Sequence, residues 1–355
     1  MSEDTVLSEE TVVEEPLAKE EKPEAKKPEK KSPRVRKNKV ENNWKAWLYL
    51  APALVLLLVF TVWPIINTIR ISFMVDQYGD SYNGISELGT LYTYHFSFNN
   101  YKTVVEFYRF KDCIKTTMLL TVLTVPISTM LALLIAVALN SIKWLKKIFQ
   151  TIFFLPYVTN SIAIGMVFMA MFRMVGTVTS IDSPGIINTI LGVFGIGPIN
   201  WIDGTMGGLD AASYSAKIAV LTMYIVWNAL PFKILVLLGG LQGVNKQYYD
   251  AAKIDGTSRF RTFWRITVPM LSPMIAYVVI TGFIGGFKEY STIVGIFGTT
   301  TGDISQSGVD TMVGYIYESL GKTEGEASAA ALILFLIIFA VTMINMYVSK
   351  KRVHY

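Results

Sequence analysis

The sequence predicts an all-α polytopic membrane protein with six transmembrane helices, and three observations carry that prediction. The 355 residues are 52% hydrophobic and only 17% charged, with a mean hydropathy of +0.42, whereas soluble domains run at about a quarter charged. Six apolar runs each reach the length of about 20 residues that a helix needs to cross a bilayer. The basic residues cluster beside those runs.

In order, the predicted spans are 47–73, 116–140, 149–173, 218–241, 270–297 and 328–348. Pro52, Pro64, Pro126, Pro156 and Pro231 fall within four of them. They do not argue against helices, because neighbouring helices and polar side chains satisfy the carbonyls that proline frees. The alternating ten-residue segments of a β-barrel are absent from the sequence. No internal repeat stands out.

Basic residues orient the spans. With both termini cytoplasmic, the inner segments carry Arg34, Arg36, Lys37, Lys39 and Lys45, then Lys143, Lys146 and Lys147. Lys246, Lys253, Arg259, Arg261 and Arg265 follow, and Lys350, Lys351 and Arg352 close the set. The outer loops hold fewer, chiefly Lys102, Arg109, Lys111 and Lys322, as the positive-inside rule requires. The outer stretch 174–214 reads as short re-entrant or surface helices punctuated by Gly and Pro.

The chain divides into a charged tail, 1–43, and a membrane domain, 44–355. The tail is acidic and then basic, contains no aromatic residue, and is too polar to bury a core, so it reads as disordered. Its basic half lies just before the first span, where a solvated tail and contact with anionic headgroups are both open.

One inner loop, 245–266, differs from a plain connector. Tyr248, Tyr249, Ala251, Ala252 and Ile254 give one short helical piece an apolar side. Gly256 permits a turn, Thr257 or Ser258 can cap a second piece, and Phe260, Phe263 and Trp264 supply a second apolar patch. Pro269 is placed at the start of the next span. Such a kinked apolar element suits docking into a groove on another protein or lying on the membrane surface.

Several classes are excluded. A single cysteine, Cys113, rules out an internal disulfide framework, and His95 with His354 makes no metal cluster. The net charge of +5 belongs to membrane orientation and not to nucleic acid. Gly321-Lys322-Thr323 resembles the end of a phosphate loop, but the glycine required five positions earlier is Ile316. No catalytic constellation stands out, so the chain is not read as an enzyme. A secondary carrier would leave the inner loop without a role.

That loop contains Asp250, Ala251, Ala252, Gly256, Ile266, Val268 and Pro269 in the order and spacing of a signature. The stretch resembles the cytoplasmic loop of permease subunits of binding-protein-dependent ABC importers, with Asp250 and Val268 where the family more often has Glu and Leu. The resemblance covers nearly all of 44–355. Its first, third and last spans are similar to the carbohydrate-uptake branch, specifically its maltose-permease-F-like subunit. The resemblance implies the type I permease fold in a bacterial cell membrane, with a second homologous permease, two ATPases and an extracellular binding protein as partners. It implies that ATP and Mg are held by those ATPases and no cofactor by this chain. The loop would be a coupling helix, with Asp250, Ala251, Ala252, Gly256, Ile266 and Pro269 making the ATPase contact. The solute would be an oligosaccharide or related polyhydroxylated molecule; an amino acid, phosphate or polyamine is the alternative.

Charged groups inside spans cost about 2.5–3.5 kcal/mol at the centre and usually face a cavity. Tyr224, Trp227, Asn228 and Phe232 in the fourth span, with Lys233 after Pro231, are therefore candidates for a substrate path. So are Gly282, Gly286, Lys288 and Glu289, placed in the fifth span. The resemblance puts the bound sugar near Asn228, Ala229, Phe232, Gly282, Gly286 and Glu289. The glycines are read as leaving room for a bulky or longer ligand.

Overall fold

A computed structural model describes residues 44–76, 80–82, 94–142, 146–176, 181–202, 212–298 and 307–352. The tail expected over 1–43, Lys143 and His354 lie outside the described residues. The structure has two units, residues 1–57 and 58–355. In the first, helix α1 (Trp44–Leu57) carries Pro52 inside it and exposes Trp47, Tyr49 and Leu56, as a lipid-facing helix does.

The second unit opens with a π-helical turn, Leu58–Val62, and α2 (Trp63–Ser72), which has Pro64 in its first turn. A two-stranded ribbon, β1 (Met74–Val75) with β2 (His95–Phe96), leads to α3 (Asn99–Glu106) and α4 (Tyr108–Ser141). The third predicted span is two helices, α5 (Lys146–Val158) and α6 (Ser161–Phe172), bent by 103°. Asn160 explains the break. Its side chain accepts hydrogen bonds from the N–H groups of Ile162 and Ala163 and so starts a new helix there.

The stretch expected to form short helices instead begins with a second ribbon, β3 (Val175–Gly176) with β4 (Ile181–Ser183), followed by one short helix, α7 (Ile186–Val193). Helix α8 (Tyr214–Gly243) is the fourth span. The inner loop follows as α9 (Lys246–Ile254), α10 (Arg259–Thr262), a π-helical turn over Phe263–Thr267 and α11 (Val268–Met270). Then come α12 (Ser272–Phe287), α13 (Ser291–Phe297), α14 (Met312–Ser319) and α15 (Glu324–Arg352).

Two corrections concern the fifth span. Its N-terminal end bends by 69° between Met270 and Ser272, so Pro269 lies in the short helix before the bend and Pro273 in the first turn after it. Helix α12 also stops at Phe287, so Lys288, Glu289 and Tyr290 occupy the break before α13 and are not on a continuous helix.

Helix α4 shows how the bundle is sorted. Leu119, Val122, Met130 and Leu134 are exposed, whereas Thr117, Thr121, Thr124 and Ser128 are buried. Those four lie three or four residues apart and so share one face. Lipid tails are as apolar as leucine, so burial is driven by close packing and hydrogen bonding, and polar residues turn inward. Around that face, Leu120, Leu221, Tyr224, Ile293 and Ile296 form one core cluster. Ala132, Ala136, Leu237, Leu271 and Val278 form a second.

Candidate functional site

A cavity of about 370 Å³ lies among α4, the α5–α6 break, α8 and α12. Seven of the residues named from the sequence line it: Asn228, Ala229, Phe232, Lys233, Gly282, Gly286 and Glu289. Phe232 stacks on Tyr157 across the mouth of the bend, with centroids 6.4 Å apart. Glu289 is fixed by a turn. Its N–H donates to the Gly286 carbonyl (3.2 Å), its carbonyl accepts from Thr311 Oγ1 (2.9 Å), and its carboxylate accepts from the Thr292 N–H (3.2 Å).

Three predicted residues sit elsewhere. Tyr224 is fully buried in the core and donates its hydroxyl to the Ser161 carbonyl at 2.7 Å. Trp227 packs against Phe168 in the same cluster. Lys288 is exposed at the end of α12. The glycines also differ from the expectation of open room. A Cβ at Gly286 would stand 2.9 Å from Thr121 Oγ1, and one at Gly282 3.1 Å from Val125 Cγ1 and 3.3 Å from Lys233 Nζ. Their space is taken by protein, and Gly285 is the glycine there that faces open space.

Sequence reasoning missed the α4 wall, which contributes Thr124, Val125 and Ser128, and the hydroxyls of Thr159 and Ser161 at the broken span. The usable signal was the Thr/Ser face of α4, a single polar stripe on an otherwise apolar helix. Lys233, named from the sequence beside Pro231, also lines the cavity. It is 4% exposed, and its ammonium donates to Ser128 Oγ (2.6 Å), Thr129 Oγ1 (3.0 Å) and the Val125 carbonyl (3.2 Å). Those three bonds tie α8 to α4 beside the cavity.

Away from the cavity lining, Arg109 pairs with Asp310 at 2.8 Å and with Glu318. Burial pushes the Asp310 carboxyl above the usual carboxylate range, against the opposing pull of Arg109. Among the described residues, no group of three or more His, Cys, Asp or Glu could hold a metal ion.

The inner loop is a helix, a sharp turn and a second helix. Asn245 caps α9 by accepting from the Gln247 N–H. At the other end the Gly256 N–H donates to the Lys253 carbonyl and the Thr257 N–H to the Ala252 carbonyl. With Gly256 at φ +64°, that is a Schellman cap, and the left-handed φ is what requires glycine. Ser258, one of the two predicted caps, accepts from the Arg261 N–H to start α10.

The apolar residues of the loop do not share one side. Ala252 is buried, Phe263 packs on the second core cluster, and Tyr249 meets the Thr267 hydroxyl at 3.3 Å. Tyr248, Ile254, Phe260 and Trp264 remain exposed, with Ile254 at 87%. Asp250 pairs with Lys253 one turn along, at 3.1 Å. The loop is thus anchored by one apolar set and presents another.

Residues 125–355, which contain the loop and most of the cavity wall, match the binding-protein-dependent transport system inner membrane component. The chain belongs to that family. This permease is 29% identical over 309 residues to the arabinooligosaccharides transport system permease protein AraP of Bacillus subtilis (strain 168), covering 85% of this chain and 88% of AraP. It is 27% identical over 312 residues to the sn-glycerol-3-phosphate transport system permease protein UgpA of Agrobacterium fabrum, covering 87% of this chain and 96% of UgpA. Its fold matches a chain in the crystal structure of a bacterial ABC transporter involved in the import of the acidic polysaccharide alginate. That match has a TM-score of 0.67 at 19% identity and covers 87% of this chain and 96% of that one. The type I permease architecture expected from the loop signature therefore holds for this permease, with four helices among the described residues long and apolar enough to cross a membrane and two bent pairs.

Proposed function

We propose that this permease forms, with a second homologous permease, the translocation path of an ATP-driven importer for a carbohydrate delivered by an extracellular binding protein. The carrying observation is a hydroxyl-rich cavity enclosed by spanning helices. Its polar lining suits a polyhydroxylated solute, and the similarity to the arabinooligosaccharides permease AraP supports that class. Asn228, Phe232, Gly285 and Glu289 contact the solute, and Trp227 and Tyr224 hold the wall behind them.

Two ATPase subunits hold ATP and Mg and grip the α9–α10 turn, with both termini of the permease cytoplasmic. Asp250, Ala251 and Gly256 shape the turn. Ala252, Ile266 and Pro269 transmit its movement to α12. The exposed Ile254, Phe260 and Trp264 support that reading, because an apolar surface beside five basic residues on the inner side needs a protein partner.

A phosphate-bearing solute is the second reading, favoured by the similarity to the sn-glycerol-3-phosphate permease UgpA and by Lys233 beside the cavity.

Purification from native membranes is expected to recover a second permease and ATPase subunits with this chain. Uptake by reconstituted vesicles is expected to stop when ATP is withheld. Uptake driven by an ion gradient without ATP, or by this chain alone, overturns the reading.

A further inference from the structure

Helix α14 lies outside the cavity lining, yet a continuous row of polar contacts runs past it to Glu289. The row starts on α4, where the Arg109 guanidinium pairs with Asp310 at 2.8 Å and with Glu318. Asp310 precedes α14 and Glu318 stands in its last turn, so one cation holds both ends of that helix. The other carboxylate oxygen of Asp310 accepts from the Thr311 N–H at 2.7 Å. Thr311, fully buried, donates its hydroxyl hydrogen to the Glu289 carbonyl at 2.9 Å. The same hydroxyl oxygen accepts from the Gly314 N–H at 3.3 Å and so caps α14.

Two further contacts strengthen the link. The Met312 N–H donates to Thr117 Oγ1, on the polar face of α4, at 3.1 Å. Tyr317 stacks on Tyr290, the neighbour of Glu289, with centroids 4.5 Å apart and planes inclined by 13°. Glu289 itself stands in the break between α12 and α13. The continuous ladder of a helix does not fix it there, so contacts from another element can decide where it stands.

We propose that Arg109 and Thr311 are positioning residues for Glu289. Helix α14 is the strut between them, and it sets where the Glu289 carboxylate stands in the cavity. Removing the Thr311 hydroxyl takes a donor from the Glu289 carbonyl and the cap from α14. Removing Arg109 takes the guanidinium from Asp310, a carboxylate only 6% exposed, and from Glu318. The consequence for transport rests on the cavity being the solute path; the geometric claim does not.

The test is hydrogen–deuterium exchange of the assembled complex in lipid nanodiscs, followed over residues 286–294. Thr311→Val and Arg109→Met are each expected to speed exchange there about tenfold, with α8 unchanged. Tyr317→Leu, at an exposed ring, is expected to speed it about threefold. Thr311→Ser, which keeps the hydroxyl, is expected to exchange as wild type. Wild-type exchange at 286–294 in Thr311→Val, or equal acceleration in α8, overturns the proposal. Where Arg109→Met or Thr311→Val fails to assemble, Tyr317→Leu decides by the same two criteria.

A second arm measures ATP-dependent uptake of arabinotriose. Thr311→Val is expected to raise the half-saturating concentration about fivefold, and to raise it no further in a Glu289→Gln background. A full fivefold rise in that background overturns the proposal, because Thr311 would then act without the carboxylate. Wild-type uptake by Glu289→Gln, or no uptake by the unaltered complex, counts against the cavity as a carbohydrate path. The exchange result decides the strut in either case.

Discussion

Gly165 and Gly295 meet backbone to backbone. A Cβ built on Gly165 would stand 2.8 Å from the Gly295 Cα, and one on Gly295 2.9 Å from the Ile162 carbonyl oxygen. Helix α6 is thereby pressed directly onto α13, the close approach that small residues allow between membrane helices. That contact fixes the second half of the broken third span against the segment that follows Glu289.

Gly165→Val should therefore destabilise the permease. No flexible side chain can move aside, because the opposing atoms are backbone, and overpacking of this kind costs about 1–3 kcal/mol. Thermal unfolding of the detergent-solubilised complex is expected to shift downward. A variant at Gly192, where a Cβ meets nothing within 4 Å, provides the control and should unfold as wild type.

Gly256→Asp should reduce the amount of ATPase that co-purifies while leaving membrane insertion intact. The position is strained for an L-residue by its φ of +64° and not by lack of space, a cost of about 1–2 kcal/mol. Asn tolerates the left-handed region better than other side chains. Gly256→Asn should consequently retain more ATPase than Gly256→Val, and equal recovery from the two would remove backbone conformation as the cause.

Lys233 and Ser128 should respond unequally to removal. Ser128→Ala leaves the buried ammonium short of a partner and is expected to cost about 1–3 kcal/mol. Lys233→Met removes the charge along with its desolvation penalty and fills similar volume, so its cost should be smaller. Unfolding midpoints of the two assembled variants check the order, and a larger loss for Lys233→Met reverses the account.

Glu289→Ala removes both a cavity carboxylate and the acceptor for the Thr292 N–H. Loss of such a cap costs about 1 kcal/mol. Glu289→Gln keeps an acceptor and removes the charge. Solute-stimulated ATPase activity is expected to fall more in Glu289→Ala than in Glu289→Gln, with complex assembly measured alongside. An unchanged solute response in Glu289→Ala takes this residue out of the site.

Much of this permease was written in contiguous stretches. The apolar runs specify spans, because about 20 lipid-compatible residues suffice whatever surrounds them. Asp250 to Pro269 specify the inner turn, because its caps and the left-handed Gly256 are local requirements. Of the cavity, Asn228, Phe232, Gly282, Gly286 and Glu289 were legible as polar, aromatic or small residues in or beside apolar runs.

The cavity itself was decided by tertiary structure. Thr124 and Ser128 look like ordinary members of an apolar helix until α8 and α12 pack against that face. Thr159 and Ser161 gain their place only because the third span bends by 103°. Tyr224 and Lys288 carry suitable chemistry, yet packing turned one into the core and left the other exposed. Chain-local energetics choose which residues become helix and enter lipid. Which side of each helix meets a neighbour depends on close packing between segments far apart in sequence, as between Gly165 and Gly295, and no single stretch encodes that.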